Sequence, residues 1–247
     1  MKRAVPLVLL ALAGLAQQVP RDQGRPSGPK PITPFDSDAS PAKREVDTLI
    51  QQGAKQDRTG DYAAAIKTFE HALDRLRALP EMKNDEDSLL VRLGRAYIGA
   101  RRLDDAVRTF ALLLGPKMED CRQGVAALEY CADAQYYIGF CDMQRGKVEA
   151  AIPILTRSAG TYGRAATESQ FVESRMIKIK QQAEAETLLA AALQRTGSND
   201  RAIAALRHAI DQLTTVEQNV EIQDGIRASA RKSREDARTA LNLISKK

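Results

Sequence analysis

The sequence predicts an all-α chain built from stacked helix pairs, and three observations carry that prediction. A pattern of small and large apolar residues recurs four times at helical spacing. From position 44 to 247 only Pro80, Pro116 and Pro153 interrupt a stretch rich in Ala, Leu, Arg, Glu and Gln, the composition of a helical domain. The front of the chain is different, because residues 17–43 hold six of its ten prolines.

Each copy of the pattern places a small residue on a first helix, a turn about seven residues later, and then alanine with a large apolar residue on a second helix. The clearest copy is Leu90-Val91-Arg92-Leu93-Gly94-Arg95-Ala96-Tyr97, followed by Leu103-Asp104-Asp105-Ala106 and Phe110. An earlier one runs through Leu49, Gly53, Gly60-Asp61-Tyr62, Ala65, Ile66, Phe69 and Ala72, and closes at Leu79-Pro80, where proline ends the second helix. A third reads Ile138-Gly139, Gly146-Lys147-Val148, Ala151 and Leu155; a fourth reads Leu189-Ala190, Gly197-Ser198-Asn199, Ala202, Leu206 and Ala209. These residue types serve packing. Gly94, Gly139 and Ala190 let the helices of a pair approach, Ala65, Ala106, Ala151 and Ala202 do so from the other side, and a larger side chain would push the pair apart.

On these residues the chain resembles the tetratricopeptide (TPR) repeat family. The equivalent alanines at 65, 106, 151 and 202 are spaced by 41, 45 and 51 residues, longer than the family's period of about 34. The resemblance therefore implies a right-handed superhelical solenoid of about four lengthened TPR-like helix pairs, at 46–79, 87–118, 132–160 and 183–215. The extra residues fall at 80–88, 115–131 and 159–182. Thr167 to Arg195 contains neither proline nor glycine and predicts one long helix entering the fourth pair. A helix over 220–247, with Ile222, Ile226, Ala230, Ala237, Leu241 and Ile244 on one stripe, predicts the cap that a solenoid needs over its last apolar face. Gly60, Gly146 and Gly197 suit a left-handed residue that ends a first helix; Arg101 takes that place in the second pair and predicts a different turn there.

The N-terminus reads as an export signal over 1–16: Met1-Lys2-Arg3, an apolar run from Ala4 to Leu15, and small residues Gly14 and Ala16 before Gln17. The run of about twelve residues is too short to span a bilayer core of about 30 Å, so a soluble secreted or periplasmic location is expected. Residues 17–43 read as a disordered proline-rich spacer, and 44–247 as one helical domain.

The charge pattern excludes little but favours no nucleic acid. Without Lys2 and Arg3 the net charge falls from +5 to +3, and no run interleaves basic with aromatic side chains as stacking on bases requires. Nor does the basic C-terminal helix predict membrane contact, because acidic residues interrupt it and no Trp or Phe accompanies it. Cys121, Cys131 and Cys141 stand ten residues apart. Cys131 and Cys141 on one helix lie far beyond disulfide reach, which makes Cys121 with Cys131 the candidate pair, joining the residues after Pro116 to the third pair's first helix. The histidines, His71 and His208, occupy equivalent places in the first and fourth pairs and have no nucleophile or carboxylate constellation around them. Metal, cofactor and catalytic chemistry are therefore not expected.

What remains is binding. In the TPR family the first helices line a groove that accepts an extended peptide or a partner helix. The resemblance puts Asp47, Ile50, Ala54, Asp57 and Arg58 there in the first pair, without the lysine and asparagine of carboxylate-clamping members. In the second it puts Ser88, Val91, Arg95 and Ile98; in the third Asp133, Tyr136, Phe140, Met143 and Gln144; in the fourth Glu184, Thr187, Ala191, Gln194 and Arg195. The aromatic and methionine cluster of the third set is the most suggestive of a ligand. The expectation is a non-catalytic scaffold of the cell envelope or extracellular space that binds a protein or peptide through Val91, Arg95, Ile98, Tyr136, Phe140, Met143, Gln144 and Arg195. The alternative is a structural module that forms homo-oligomers through its C-terminal helix or repeat ends. A third reading is a binder of small molecules or glycans through its tyrosines.

Overall fold

The computed structural model describes residues 40–115, 121 and 127–246. The signal segment at 1–16, nearly all of the spacer, the carboxylates Glu119 and Asp120, and most of the 115–131 insertion lie outside the described residues. Among the described residues there are nine α-helices and one 3-10 helix: α1 Pro41–Thr59, α2 Tyr62–Arg77, the 3-10 turn Pro80–Asp85, α3 Glu86–Gly99, α4 Leu103–Ala111, α5 Leu128–Gln144, α6 Val148–Glu168, α7 Val172–Arg195, α8 Asn199–Gln218 and α9 Asp224–Ser245. They fall into two compact units that divide between Cys141 and Asp142. The fold is all-α and TPR-like, with helices packed in successive pairs.

In the unit ending at Cys141, α1 packs on α2, α2 on α3, and α3 on α4. The first helix starts where local chemistry starts it. Ser40 caps α1 by accepting from the Lys43 amide at 3.2 Å, and Pro41 stands in its first turn, where a missing N–H costs nothing. Helix therefore begins within the segment read as spacer. Asp61 caps α2 in the same way through the Ala64 amide at 3.1 Å.

The repeated small residues lie where helices meet. Ala65, Ala106, Ala151 and Ala202 are fully buried, and so are the large apolar residues four positions on: Phe69, Phe110, Leu155 and Leu206. A methyl group built on Gly53 would come within 2.6 Å of the Phe69 ring, and one on Gly94 within 2.5 Å of the Phe110 ring. No side chain fits either gap, which is why glycine stands at both.

The turns inside the four helix pairs share one geometry. At Gly60, Gly146 and Gly197 the backbone is left-handed, with φ of 82°, 76° and 81°. Each glycine N–H bonds back to a carbonyl three residues earlier, and the next N–H bonds to one five residues earlier, as Gly60 does to Asp57 and Asp61 to Gln56. Contrary to the sequence-based expectation, the second pair makes the same turn: Arg101 itself adopts φ 62°, with Arg101 N–H to Ile98 and Arg102 N–H to Tyr97 at 2.9 and 2.8 Å. The hydrogen-bonded closure outweighs the cost of a side chain in the left-handed region, about 1–2 kcal/mol.

In the unit from Asp142, α6 packs on α7, α7 on α8, and α8 on α9. The long helix expected over 167–195 is two elements. The end of α6 runs to Glu168, Ser169 turns extended (φ −75°, ψ 120°), and α7 starts at Val172. Neither proline nor glycine makes this break. The Ser169 hydroxyl donates to the Ala165 carbonyl at 2.7 Å and the Arg175 guanidinium to the Ser169 carbonyl at 3.1 Å, so side chains satisfy groups at the helix end. The extra length of this region resides in longer helices, 21 residues in α6 and 24 in α7.

The last helix covers the fourth pair. Ile226, Ala230, Ala237, Ala240 and Ile244 of α9 are buried, with Ile222 before it; Leu241 is only half-buried, its place on the stripe taken by Ala240. Charged contacts fix the helix in register. Glu217 of α8 receives Arg231 and Arg234, each at 2.8 Å, and Glu184 of α7 accepts from Ser233 at 2.9 Å and from Lys180 at 2.7 Å. Lys180 is buried, and its pairing with Glu184 is what makes that burial tolerable.

Candidate partner-binding surface

The residues assigned to a groove divide into two classes. In the first unit, Val91 and Ile98 of α3 and Phe140 of α5 are buried, 3, 2 and 3% exposed, while Arg95 and Tyr136 are half-buried. In the second, Met143 is 3% exposed, Gln144 is half-buried, and Arg195 is exposed, its guanidinium donating to the Met143 carbonyl at 3.4 Å. Val91, Ile98, Phe140 and Met143 are therefore core residues and not ligand contacts.

The correction has a physical reason. A helix pair considered alone leaves the third face of its first helix open. Here α1 touches α3, and α7 touches α9, so first helices also pack on one another and apolar groove positions fill the space between them. In α3 the buried residues include Leu89, Leu90, Val91, Leu93, Ala96, Tyr97 and Ile98, a helix enclosed around most of its circumference. In α5 every residue from Cys131 to Met143 is buried except Tyr136. What the first-helix face of the first unit leaves accessible is Asp47, Ile50 and Asp57 of α1, Ser88 and Arg95 of α3, and Tyr136 of α5, all half-buried, with Arg58 of α1 exposed.

Tyr136 stands on an aromatic support. Its ring meets Tyr137 edge-on at 5.2 Å, and Tyr137 stacks on Phe110 of α4 at 5.0 Å. Such a stack fixes the orientation of a half-exposed ring, so that binding through it would cost little ordering entropy. Cys131, one helix turn from Gln135 on the same helix, is bonded to Cys121, with Cα atoms 5.3 Å apart, and Leu114 pairs with Cys121 in an isolated antiparallel bridge. Cys141 is a buried free thiol.

Elsewhere in the unit a polar chain joins the first two pairs. The Tyr97 hydroxyl donates to Glu70 at 2.5 Å, Arg102 lies over the Tyr97 ring at 4.7 Å, and Asp105 accepts from both Arg102 and Arg108. Burial, reinforced by Glu70, pushes the Tyr97 hydroxyl up to about 12, and the Arg102 hydrogen bond holds the Asp105 carboxyl below its ordinary range. This is a lock between helices. Of the carboxylate pair Asp104-Asp105, Asp105 thus serves an ion-pair cluster in the first turn of α4.

The histidines differ in their surroundings, and one of them, contrary to expectation, has a carboxylate beside it. His71 is exposed, and His208 meets Glu186 through Nδ1 at 2.7 Å on an exposed part of α8. Burial raises the Asp142 carboxyl, with Arg145 at 3.4 Å opposing the effect. Among the described residues no cluster of His, Cys, Asp or Glu has the makings of a metal site, and no helix is long and apolar enough to cross a membrane.

Sequence reasoning missed two exposed apolar residues of the second unit, Phe171 at 76% and Val220 at 81% exposure. Phe171 was placed inside a helix that does not exist. The polar run Thr167-Glu168-Ser169-Gln170 is the signal that could have found the break.

No sequence-family model matches the chain, and no curated protein aligns to it significantly. Solved structures do resemble it. BtubC (BKLC) from P. vanneervenii superposes with a TM-score of 0.52 at 17% identity, over 83% of this chain and 87% of BtubC. MamA aligns over 83% of this chain and 96% of its own, with a TM-score of 0.45 and 20% identity. At such identity the likeness to BtubC, a TPR-type helical repeat protein, shows the fold alone.

Proposed function

We propose that the protein is a non-catalytic scaffold of the cell envelope or extracellular space, which binds a protein or peptide through the first-helix face of its first unit. The observation that carries the reading is the contrast on that face. Most of its apolar positions are closed into the core, yet Tyr136 stays half-exposed on a stacked aromatic support, beside a face that also leaves Ile50 and Arg95 within reach. Aromatic and arginine side chains held rigidly are the usual anchors of protein interfaces. The TPR-like fold supports a protein partner, since stacked helix pairs form extended surfaces of this kind.

Export is supported by the N-terminal sequence and by the Cys121–Cys131 disulfide, which persists in oxidising compartments. The mature N-terminus tests it directly: mass spectrometry of protein from the producing cells should find a chain starting at Gln17, whereas recovery of the full chain from cytosol contradicts export. For the binding surface, Ile50→Ser and Tyr136→Ala are the informative substitutions, because neither empties the core. Captured partners should be lost with both variants while circular dichroism stays unchanged; capture equal to wild type moves recognition elsewhere.

A further inference from the structure

We propose that the Cys121–Cys131 disulfide is a thiol-exchange site, opened by an external thiolate that attacks Cys121, and that its opening loosens the support beneath Tyr136.

The two sulfurs are not equivalent. Cys131 is fully buried, whereas Cys121 is half-buried, so an incoming thiolate meets Cys121 and the electron pair of the broken bond leaves on Cys131. Cys131 is the fourth residue of α5. The first turn of a helix carries N–H groups without intrahelical partners and the positive end of the dipole, and both stabilise a thiolate. Glu129 of the same turn opposes this, but from two positions away, where side chains do not face one another. A stabilised thiolate is the faster leaving group, and exchange needs an accessible sulfur to attack. Burial raises the energy of the Cys131 thiolate, which drives it back onto Cys121 once the external thiol is withdrawn and makes the opening reversible.

In the first step the external sulfur bonds to Cys121 Sγ, the bond between the two Sγ atoms breaks, and Cys131 takes a proton from water. A second external thiol then displaces Cys121, so that the two external thiols end as one disulfide, having given up two electrons, and both cysteines end as thiols. Cys141 does not intercept, because ten residues of helix place it about 15 Å from Cys131, beyond disulfide reach. Cys121, with its Cα 5.3 Å from that of Cys131, is out of its reach for the same reason.

The bond also bears on the binding face. Leu114, just past α4, pairs with Cys121 in an antiparallel bridge, so Cys121 links the end of α4 to the start of α5. A second link between those helices is the stack of Phe110 on Tyr137, and Tyr136 rests edge-on against Tyr137. Cys131 and Tyr137 lie six positions apart on α5, so opening the disulfide removes the covalent restraint beside the stack that holds Tyr136. Reduced protein therefore presents a less ordered Tyr136, and binding through it bears a larger ordering cost. This consequence rests on the reading of Tyr136 as an anchor; exchange at Cys121 does not.

The test uses the whole oxidised protein, with reduced glutathione as the thiol and N-ethylmaleimide as the quench. Peptide mapping should find glutathione on Cys121 and N-ethylmaleimide on Cys131, without denaturant. Glutathione on Cys131, or an adduct that forms only in denaturant, overturns the exchange site. For the coupling, Tyr136→Trp supplies the chain's only tryptophan. Its emission should shift to longer wavelength and be quenched more readily by acrylamide after dithiothreitol treatment, and with Cys121→Ser and Cys131→Ser together it should behave as reduced from the start. Unchanged emission overturns the coupling, and loss of helicity by circular dichroism on reduction makes the bond a structural staple and overturns the proposal. Should Tyr136→Ala still capture partners, the binding face falls instead, and the exchange result stands.

Discussion

Arg101 carries the plainest conflict between a residue and its backbone. Its left-handed φ of 62° is one that glycine adopts without penalty, and three equivalent turns use glycine. Arg101→Gly should therefore stabilise the protein by about 0.5–1 kcal/mol, after glycine's greater unfolded-state entropy is deducted. A rise in the urea midpoint at unchanged slope is the expected result. Gly94→Ala sets two effects against each other. Alanine gains about 1 kcal/mol of helix propensity, but its methyl group meets the Phe110 ring at 2.5 Å, and overpacking costs about 1–3 kcal/mol. The clash with a ring that is itself fully buried wins, and the variant should be less stable by about 1–2 kcal/mol in the same titration. Tyr97 gives a pH dependence. Its hydroxyl is raised from 10.0 to about 12 in the fold, so folding favours the neutral form. That contribution is complete below pH 10 and is lost as the pH rises through about 12. Wild type should lose stability across that window relative to Tyr97→Phe, and a parallel decline in both proteins would show that Tyr97 contributes nothing there.

Among elements, α5 and its tether are the most informative. The disulfide closes a ten-residue separation between Cys121 and Cys131, and loop-closure entropy alone assigns about 2–3 kcal/mol to it. Cys121→Ser should lower the free energy of unfolding by that much in non-reducing buffer and by nothing in dithiothreitol. Thiol titration in denaturant should find one reactive cysteine before reduction, Cys141, and three after it. The helix pairs were legible because the residues that define them are packing residues: Ala65, Ala106, Ala151 and Ala202 announce close helix contacts whatever the partner is. The break at Ser169 was harder to read, since a serine hydroxyl and an arginine six residues on make it, and only the polar run from Thr167 to Gln170 marks it in the sequence. The turn at Arg101 was misread for the opposite reason, because a propensity rule was overridden by two backbone hydrogen bonds.

For the molecule as a whole, fold and function separate. Its sequence states how helices meet their neighbours within a pair, and says much less about how one pair meets the next. That is why Val91, Ile98, Phe140 and Met143 read as surface and are core. Tyr136 remains a candidate because it stays half-buried with its ring set edge-on against Tyr137, which itself stacks on Phe110. The central claim is that this face of the first unit contacts another protein. Photocrosslinking tests it most directly: p-benzoylphenylalanine placed at position 136 and, as a control, at exposed Lys67 of α2, in cells that make the protein. A discrete adduct of higher mass is expected from position 136, absent from position 67 and competed away by unlabelled wild type. Adducts of equal yield from both positions, or none from 136, would contradict it.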